Sequence, residues 1–575
     1  MNENHRSMQI RNEHRKQGLI LGIDVGGTHT DAVLLKDRRL CRKVKIETRT
    51  DHLVSSLLEA ADQILTDKDI TRLDRITVST TLSTNAIIQH KIDRVGMVIS
   101  AGPGLAPSQL PHFDNLYALS GYMNHRGIEA APLKNKELEE IMRDFEHKDI
   151  RLAGVVGKFS CRNPQHEIQI RNTLGKRVNH ISLGHRMSGQ LNFPRRLATT
   201  YLNAASWPLH SQFILELRQF AANRGITAPV YILKADGGTF NLAASADFPV
   251  QAILSGPAAS VMGTLNIVAP NEDAVVLDIG GTTTDIAFFA EGAPLLEPLG
   301  VTLGGYKTLI RGLRTRSIGI GGDSVVAISN GRPVIGPERK GPAAALGGPA
   351  PTPTDAMVTS GRLNIGCREA AVAAMRTLAE QLGCTVSAAA ETIFNLTCEL
   401  ITDAVKDTIE EINRRPVYTI HEMLESKTLI PRSVYVVGGP AGMMSSEIGK
   451  RLTCPAQVPE HAEVANAIGA ALARTTAEVT VLADTERGIL TVMEEGLQTA
   501  ISPRFTRDET IAVARERLQV KALSLGADPD DLTVEITEDQ VFPMVRDFYS
   551  TGKNIRIKAQ IKPGLLFHPE EGGPG

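Results

Sequence analysis

With 575 residues, a formal charge of −2, 42% hydrophobic and 22% charged residues, the chain has the make-up of a globular protein of several domains. So even a charge balance gives no footing for nucleic acid or an anionic membrane surface as a partner, and no apolar run is long enough for a membrane span. Cys41, Cys161, Cys367, Cys384, Cys398 and Cys454 lie far apart with no C-x-x-C pair, which points to reduced thiols in a cytoplasm rather than a disulfide framework or a zinc site.

Residues 1–17 are polar and charged without an apolar segment, so a disordered tail is expected rather than a secretory signal. Order is expected from Gly18. There the apolar run Leu19–Ile23 leads into Asp24-Val25-Gly26-Gly27-Thr28-His29-Thr30-Asp31 and out through Ala32–Leu35. Apolar run, Gly-Gly turn, apolar run predicts a β-hairpin with an aspartate closing its first strand. Two glycines let the backbone come close to a ligand, and successive N–H groups of such a turn form an anion-binding concavity. Threonine hydroxyls add donors, and a strand-end carboxylate suits Mg²⁺ beside a phosphate. No Gly-Lys-Ser/Thr follows and the next element is a strand, which excludes a P-loop.

Further on, Val44–Thr48 reads as a strand and His52–Leu65 as a helix. A strand from Arg75 then runs into a hydroxyl-rich corner, Ser79-Thr80-Thr81-Leu82-Ser83-Thr84-Asn85-Ala86, which either caps the next helix or faces a ligand cleft. Arg94–Ser100 and Gly154–Phe159 read as core strands, with an amphipathic helix over Leu133–Glu146 between them. That alternation indicates an α/β domain. Arg195–Phe220 has a long helical pattern with a break expected at Pro208, and Trp207 is expected to pack there.

Val230–Leu233 leads to Asp236-Gly237-Gly238. Ser255-Gly256-Pro257 opens a helix and is equally an anion site, because free N–H groups point out of a helix N-terminus. The first phrase then returns as Asp278-Ile279-Gly280-Gly281-Thr282-Thr283-Thr284-Asp285, again between apolar runs. One Gly-Gly hairpin is ordinary, whereas two matching copies point to a shared ligand. A third glycine-dense turn holds Asp323 and Ser324, and Gly331–Thr354, rich in Pro, Gly and Ala, is either a surface loop or a flap beside the cleft. Helices fill Glu369–Asn413, and Ser433–Val437 enters the turn Gly438-Gly439 before a helix to Leu452. A small-residue helix spans Ala462–Ala473. Glycine backbone here passes flat against an adenine ring or ribose, or serves close packing. From Thr475 onward the chain turns to polar helices and short strands such as Leu532–Thr537 and Asn554–Ile561, with a frayed end from Glu570. His29, His166 with Glu167, and His461 with Glu463 read as ion pairs or surface groups in preference to metal ligands. Lys234 reads either an acidic substrate or a neighbouring carboxylate.

This order of phosphate hairpin, Thr-rich corner, second hairpin, glycine-rich segment and small-residue helix resembles the actin/sugar-kinase/Hsp70 superfamily. In that superfamily two ribonuclease-H-like domains close over ATP. Within it, Ser79–Ala86, Asn163-Pro164 with His166-Glu167, Asp236-Gly237-Gly238, Leu254–Ala258 and Pro353-Thr354-Asp355-Ala356 look like the hydantoinase A/5-oxoprolinase family. The resemblance runs from about Gly18 to Thr475; Asp323 and Ser324 depart from the family's glycine run. It implies an α/β fold of two ribonuclease-H-like domains around a nucleotide cleft, with a small C-terminal α+β region. The expected divisions are 1–17, 18–190, 191–475 and 476–575.

The implied activity is ATP-dependent opening of a cyclic amide or imide, or activation of a ketone enolate, by phosphorylation of its oxygen. Asp24 and Asp278 would then organise Mg²⁺, and one of the two would assist the nucleophile. Gly26, Gly27, Thr28, Thr30, Gly280, Gly281, Thr282 and Thr283 would bind phosphates, and Gly438 and Gly439 the adenosine. Thr81, Asn85, Asp236, Ser255 and Asp323 are the candidate substrate contacts, and Asp31 and Asp285 either join the site or brace the turns. The implied partners are a small cyclic amide-like substrate and a hydantoinase B-type subunit, within an oligomer. A small-molecule kinase and an ATP-gated activator of another protein are the competing readings.

Overall fold

The computed structural model describes residues 18–49, 53–89, 91–105, 109–265, 267–268, 272–414, 428–546 and 549–567. The stretches expected to be a tail (1–17) and a frayed end (from Glu570) lie outside the described residues.

The two copies of the repeated phrase build two sheets of one design. In the first, strands lie side by side in the order Thr239–Asn241, Val230–Leu233, Leu73–Thr80, Leu19–Val25, His29–Lys36, Arg39–Glu47. The hairpin strands are antiparallel, while Leu19–Val25, Leu73–Thr80 and Val230–Leu233 run parallel. The second sheet matches five of these strands, with Ala456–Gln457, Ser433–Val437, Ala274–Ile279, Thr284–Ala290 and Thr315–Ile318 in the same directions, and adds the short strand Ala293–Pro294 beside Thr284–Ala290. This is the ribonuclease-H-like arrangement, present twice. Because the first sheet takes its last two strands from residues 230–241, a division at residue 190 follows the sequence motifs rather than the sheets.

Burial explains why each hairpin reads as unbroken apolar runs. All seven residues of Leu19–Val25 are buried, as expected of a strand covered on both faces. On one face Leu19, Leu21, Ile23 and Val25 meet the helix Leu53–Ile64 and the C-terminal half of the helix Phe193–Asn223. On the other, Ile20 packs against Ala467, Ala471 and Leu472 of the helix Ala465–Leu472. The second sheet does likewise: Val275, Leu277 and Ile279 face the helices Val386–Asn413 and Ala441–Leu452, and Ala274 and Val276 face the helix Ser255–Thr264. The helices Ser255–Thr264 and Ala465–Leu472 therefore sit between the two sheets.

Small residues let those two helices touch backbone to backbone. A Cβ on Gly469 would lie 2.1 Å from the Ala259 carbonyl oxygen, and one on Gly263 2.2 Å from that of Ala465. Neither neighbour can yield, since both are main chain.

A four-stranded parallel sheet (His180–Leu183, Leu152–Gly157, Val95–Ser100, Leu116–Ala118) forms a side layer on the N-terminal half. At the C-terminal end an antiparallel sheet (Leu497–Ala500, Ile489–Val492, Glu478–Asp484, Tyr549–Ile561, Val534–Arg546) packs under the helix Arg507–Ser524 through Ala514, Leu518 and Ala522. That is the α+β region. Among the described residues no helix is long and apolar enough to cross a membrane.

The helix Phe193–Asn223 runs unbroken through Pro208, against the expected break. Both halves are pinned, Leu197, Ala204 and Ala205 against the side layer and Phe213, Ile214 and Leu217 against the first sheet. Leu197, Phe213, Ile214 and Leu217 are each worth about 1.5–3 kcal/mol on burial, together enough to outweigh the roughly 3 kcal/mol cost of an internal proline. Trp207 stacks on His180 at 4.9 Å between ring centres. Within 331–354 the strand Arg332–Ile335 is followed by a held loop that runs to the helix Pro353–Thr359. Asp355, at the start of the helix Pro353–Thr359, accepts the N–H groups of Ala344, Ala345 and Thr352 at 3.0, 2.7 and 3.0 Å.

Candidate active site

The two turns are built alike. Gly26 N–H donates to the His29 carbonyl at 3.0 Å, and Gly280 N–H to that of Thr283 at 2.9 Å. Asp24 pairs with Asp31 across the first hairpin and Asp278 with Asp285 across the second, so each turn carries two carboxylates at its base. Thr28, Thr282 and Thr283 remain half-exposed in the turns. Thr30 does not: it is fully buried and its hydroxyl is taken up by Thr48 at 2.9 Å, as that of its counterpart Thr284 is by the Ile320 carbonyl at 2.7 Å.

Both helices between the sheets contribute to the carboxylates. Ser260 donates to Asp278 Oδ2 at 2.6 Å, and Asn466 Nδ2 to the same oxygen at 3.1 Å. Ser79 and Asn466 also lie beside Asp24 and favour its charged form. The two aspartates lie close enough for each charge to be felt by the other. Asp24 is 4% exposed, and its Oδ1 is buried with no hydrogen-bond partner. Burial drives the Asp24 pKa up to about 7 against the pull of Ser79 and Asn466, and the charges of Asp31 and Asp278 add to the rise. Asp285 is pushed to about 7 as well, by burial first and by Asp278 second. Burial raises Asp31 too, opposed by Lys45, whose ammonium lies 2.8 and 3.0 Å from its two oxygens.

So many carboxylates in one dry place favour a cation. Among the described residues no group of three or more His, Cys, Asp or Glu forms a closed metal site. The arrangement suits an ion that takes one or two carboxylates and leaves its other positions to water and phosphate, as Mg²⁺ does. The unsatisfied Asp24 oxygen fits that use.

Gly438, at the end of the neighbouring strand, has φ of +94°, and a Cβ there would lie 2.3 Å from the Ile279 carbonyl oxygen. Only glycine fits. Gly439 and Gly27 have nothing within 4 Å of where a Cβ would be, which leaves open space over both turns.

Of the expected substrate contacts, Thr81, Asn85 and Ser255 gather beside the first hairpin. Thr81 donates to the Val25 carbonyl at 3.3 Å and Asn85 to Thr81 at 3.4 Å. The Ser255 hydroxyl accepts from Thr80 N–H at 3.1 Å and donates to the Thr80 carbonyl at 3.0 Å, so it locks the helix Ser255–Thr264 to the first sheet. Asp323 belongs to the second turn, where its N–H donates to the Gly281 carbonyl at 2.7 Å.

Asp236 sits apart from both hairpins. Its carboxylate accepts from Gly238 N–H and the Thr476 hydroxyl, at 3.0 and 2.9 Å, with Lys234 at 3.5 Å and Arg311 at 3.4 Å. It lines a cavity of about 70 Å³ shared with Glu478 and Lys521. Lys234 accordingly reads as a neighbour's partner, and it also donates to the Thr476 carbonyl at 3.0 Å.

The histidine pairs resolve as ion pairs and hydrogen bonds. Glu167 binds Gly157 N–H, His185 N–H and His185 Nδ1 at 2.8, 3.0 and 2.5 Å; His166 bridges Ser100 and Glu129; Glu463 pairs with Lys43.

Three residues escape the sequence reading: Ser260, Asn466 and Arg339. Asn466 carries a faint signal, being the lone polar side chain on a helix of small apolar residues, whereas Ser260 shares its helix with Ser255 and Thr264. Arg339, in the held loop, bonds Asp323 at 3.2 Å.

Two sheets of one strand order, each presenting an Asp-x-Gly-Gly-Thr turn to a common cleft, define a duplicated ribonuclease-H-like fold of the actin-like class. The hydantoinase/oxoprolinase pattern matches residues 196–479 and the pattern of that family's N-terminal region residues 20–178; the chain belongs to the hydantoinase/oxoprolinase family. Caprolactamase subunit alpha of Pseudomonas jessenii is 25% identical over 490 residues, covering 76% of this chain and 68% of that one. The acetophenone carboxylase gamma subunit of Aromatoleum aromaticum is 23% identical over 395 residues, 60% of this chain and 53% of its own. Among solved structures, the ATP-dependent caprolactamase of P. jessenii and a nucleotide-free acetone carboxylase each superpose with a TM-score of 0.70. Their identities are 20% and 15%, and each match covers 96% of this chain and 88% of the other. That likeness extends the shared fold over the C-terminal region, which neither family pattern reaches.

Proposed function

We propose that this chain is the ATP- and Mg²⁺-using subunit of an enzyme that phosphorylates the oxygen of a cyclic amide, an imide or a ketone enolate. The observation that carries this reading is the pair of facing hairpins, with Asp24 and Asp278 electrostatically coupled and Asp24 holding one buried oxygen without a partner. Relatives that are ATP-dependent or that act on lactams and ketones support it.

Asp24 and Asp278 would hold Mg²⁺, which would supply neutralisation of phosphate charge. The N–H and hydroxyl groups of Gly26, Gly27, Thr28, Gly280, Gly281, Thr282 and Thr283 would orient the phosphates, and Gly438 and Gly439 would admit the adenosine. The substrate oxygen forms a bond to the terminal phosphorus while the bridging P–O bond breaks, its electron pair leaving on ADP. Water then adds at the ring carbon of the phosphorylated amide, the C–N bond breaks with its electron pair and a proton going to nitrogen, and the acyl phosphate so formed is hydrolysed to carboxylate and phosphate. Thr81 and Asn85 beside one turn and Asp323 beside the other are the proposed substrate contacts.

The relatives named as subunits make a second chain, of the hydantoinase B type, the proposed partner. Phosphate release with Mg-ATP, across hydantoin, 5-oxoproline, succinimide, caprolactam and acetophenone with bicarbonate, tests the reading. Turnover confined to one class names the substrate. Full turnover in Asp278→Asn, or no nucleotide binding at all, would overturn the assignment.

A further inference from the structure

Arg339 lies on the loop after the strand Arg332–Ile335, and that loop is fixed. Gly336 N–H donates to the Val325 carbonyl at 2.9 Å, and Val325 N–H to the Glu338 carbonyl at 2.8 Å, next to Arg339 itself. From there the guanidinium reaches Asp323 at 3.2 Å. Asp323 is in turn seated on the second hairpin turn: its Oδ2 lies 2.7 Å from where a Cβ on Gly281 would be. The Nε of Arg339 is buried and has no hydrogen-bond partner, although the side chain as a whole is 28% exposed. A guanidinium offers five donors, and an idle buried one is costly unless something arrives to use it. The charge is felt across the cleft as well. The His29 imidazole, in the first turn, is held below its ordinary value by burial, by Lys45 and by Arg339, with Glu47 opposing. Lys45, the other cation beside that turn, is spent on Asp31 and on the Glu463 carbonyl.

We propose that Arg339 is a catalytic residue whose guanidinium meets the terminal phosphoryl group of the nucleotide, with Asp323 as the positioning residue that aims it. This rests on the nucleotide reading above. As the acceptor oxygen bonds to phosphorus and the bridging P–O bond releases its electrons to ADP, negative charge spreads over the phosphoryl oxygens. Arg339 stabilises that charge without gaining or losing a proton, the role an arginine supplied by the same chain plays in other phosphoryl transfers.

Equilibrium binding of Mg-ATP, Mg-ADP and AMP to wild type, Arg339→Gln, Arg339→Lys and Asp323→Asn separates the roles. The Gln variant should bind ATP about 10- to 100-fold more weakly, hold AMP within about twofold, and release phosphate about 10²- to 10³-fold more slowly. Lysine should restore part of the ATP affinity, and Asp323→Asn should lose less than Arg339→Gln. Wild-type ATP affinity and turnover in Arg339→Gln would overturn this inference and leave the nucleotide reading intact. An equal loss of AMP and ATP would overturn it too, by showing that Arg339 only braces the loop. Absence of nucleotide binding in the wild type would overturn both.

Discussion

Asp24 is costly to keep in the empty cleft, and the cost can be measured. Its pKa rises from 3.8 to about 7, mainly by burial. Roughly three pK units at about 1.4 kcal/mol each give about 4 kcal/mol for holding the ionised side chain in place. The folded chain keeps a proton between pH 4 and 7 that the unfolded chain has already lost. Stability therefore falls as pH rises through that window and is level above it, where the full penalty applies. Asp24→Asn removes the charge while keeping the size and shape of the side chain. The variant should then be more stable than wild type by about 2–4 kcal/mol at pH 8, the remainder being lost on the new amide N–H groups. The gap should close as pH falls toward 4, and ATP turnover should vanish. Thermal unfolding midpoints without nucleotide, at pH 5, 6, 7 and 8, read this directly. A midpoint at pH 8 no higher than that of wild type, or a gap that fails to widen from pH 5 to 8, would refute the electrostatic account.

The two threonines of the first turn should part company. Thr28→Val should weaken Mg-ATP binding about tenfold, whereas Thr30→Val, whose hydroxyl is already taken by Thr48, should cost about 1 kcal/mol of stability and leave affinity alone; calorimetry on both variants decides. Gly469→Val should lower stability by about 3 kcal/mol and turnover with it, because its side chain would strike the Ala259 carbonyl and part the helices bearing Ser260 and Asn466. An unchanged unfolding midpoint would mean the helices do not meet there. Asp236→Ala leaves the buried Lys234 and Arg311 without their carboxylate and should destabilise by about 3–5 kcal/mol, with nucleotide affinity unchanged where the protein is folded; weaker nucleotide binding would return Asp236 to the cleft.

What could be read from the residues alone was whatever the chain writes contiguously. The Asp-x-Gly-Gly-Thr phrase carries its strand, its turn and its carboxylate within eight residues, so its repetition already implied two hairpins of one kind and hence two similar sheets. Asp236-Gly237-Gly238 looks the same locally and behaves otherwise, because what decides its role is a hydroxyl from 240 positions away at Thr476 and a guanidinium at Arg311. Thr30 looks equivalent to Thr28 for the same reason: Thr28 lies in the turn and Thr30 inside the strand His29–Lys36, where its hydroxyl is taken up by Thr48, 18 positions on. Pro208 was overruled by packing on both flanks of its helix. Ser260 and Asn466 show the converse limit. On a helix of small apolar residues one polar side chain has no local meaning, and theirs comes from lying between two sheets at the height of two strand ends. The helices are built of small residues so that they can approach closely, and each then brings a donor to Asp278, Ser260 from one and Asn466 from the other. The site therefore depends on the glycines of the contact as much as on the aspartates, which is why a substitution at Gly469 is expected to be felt at Asp24 and Asp278.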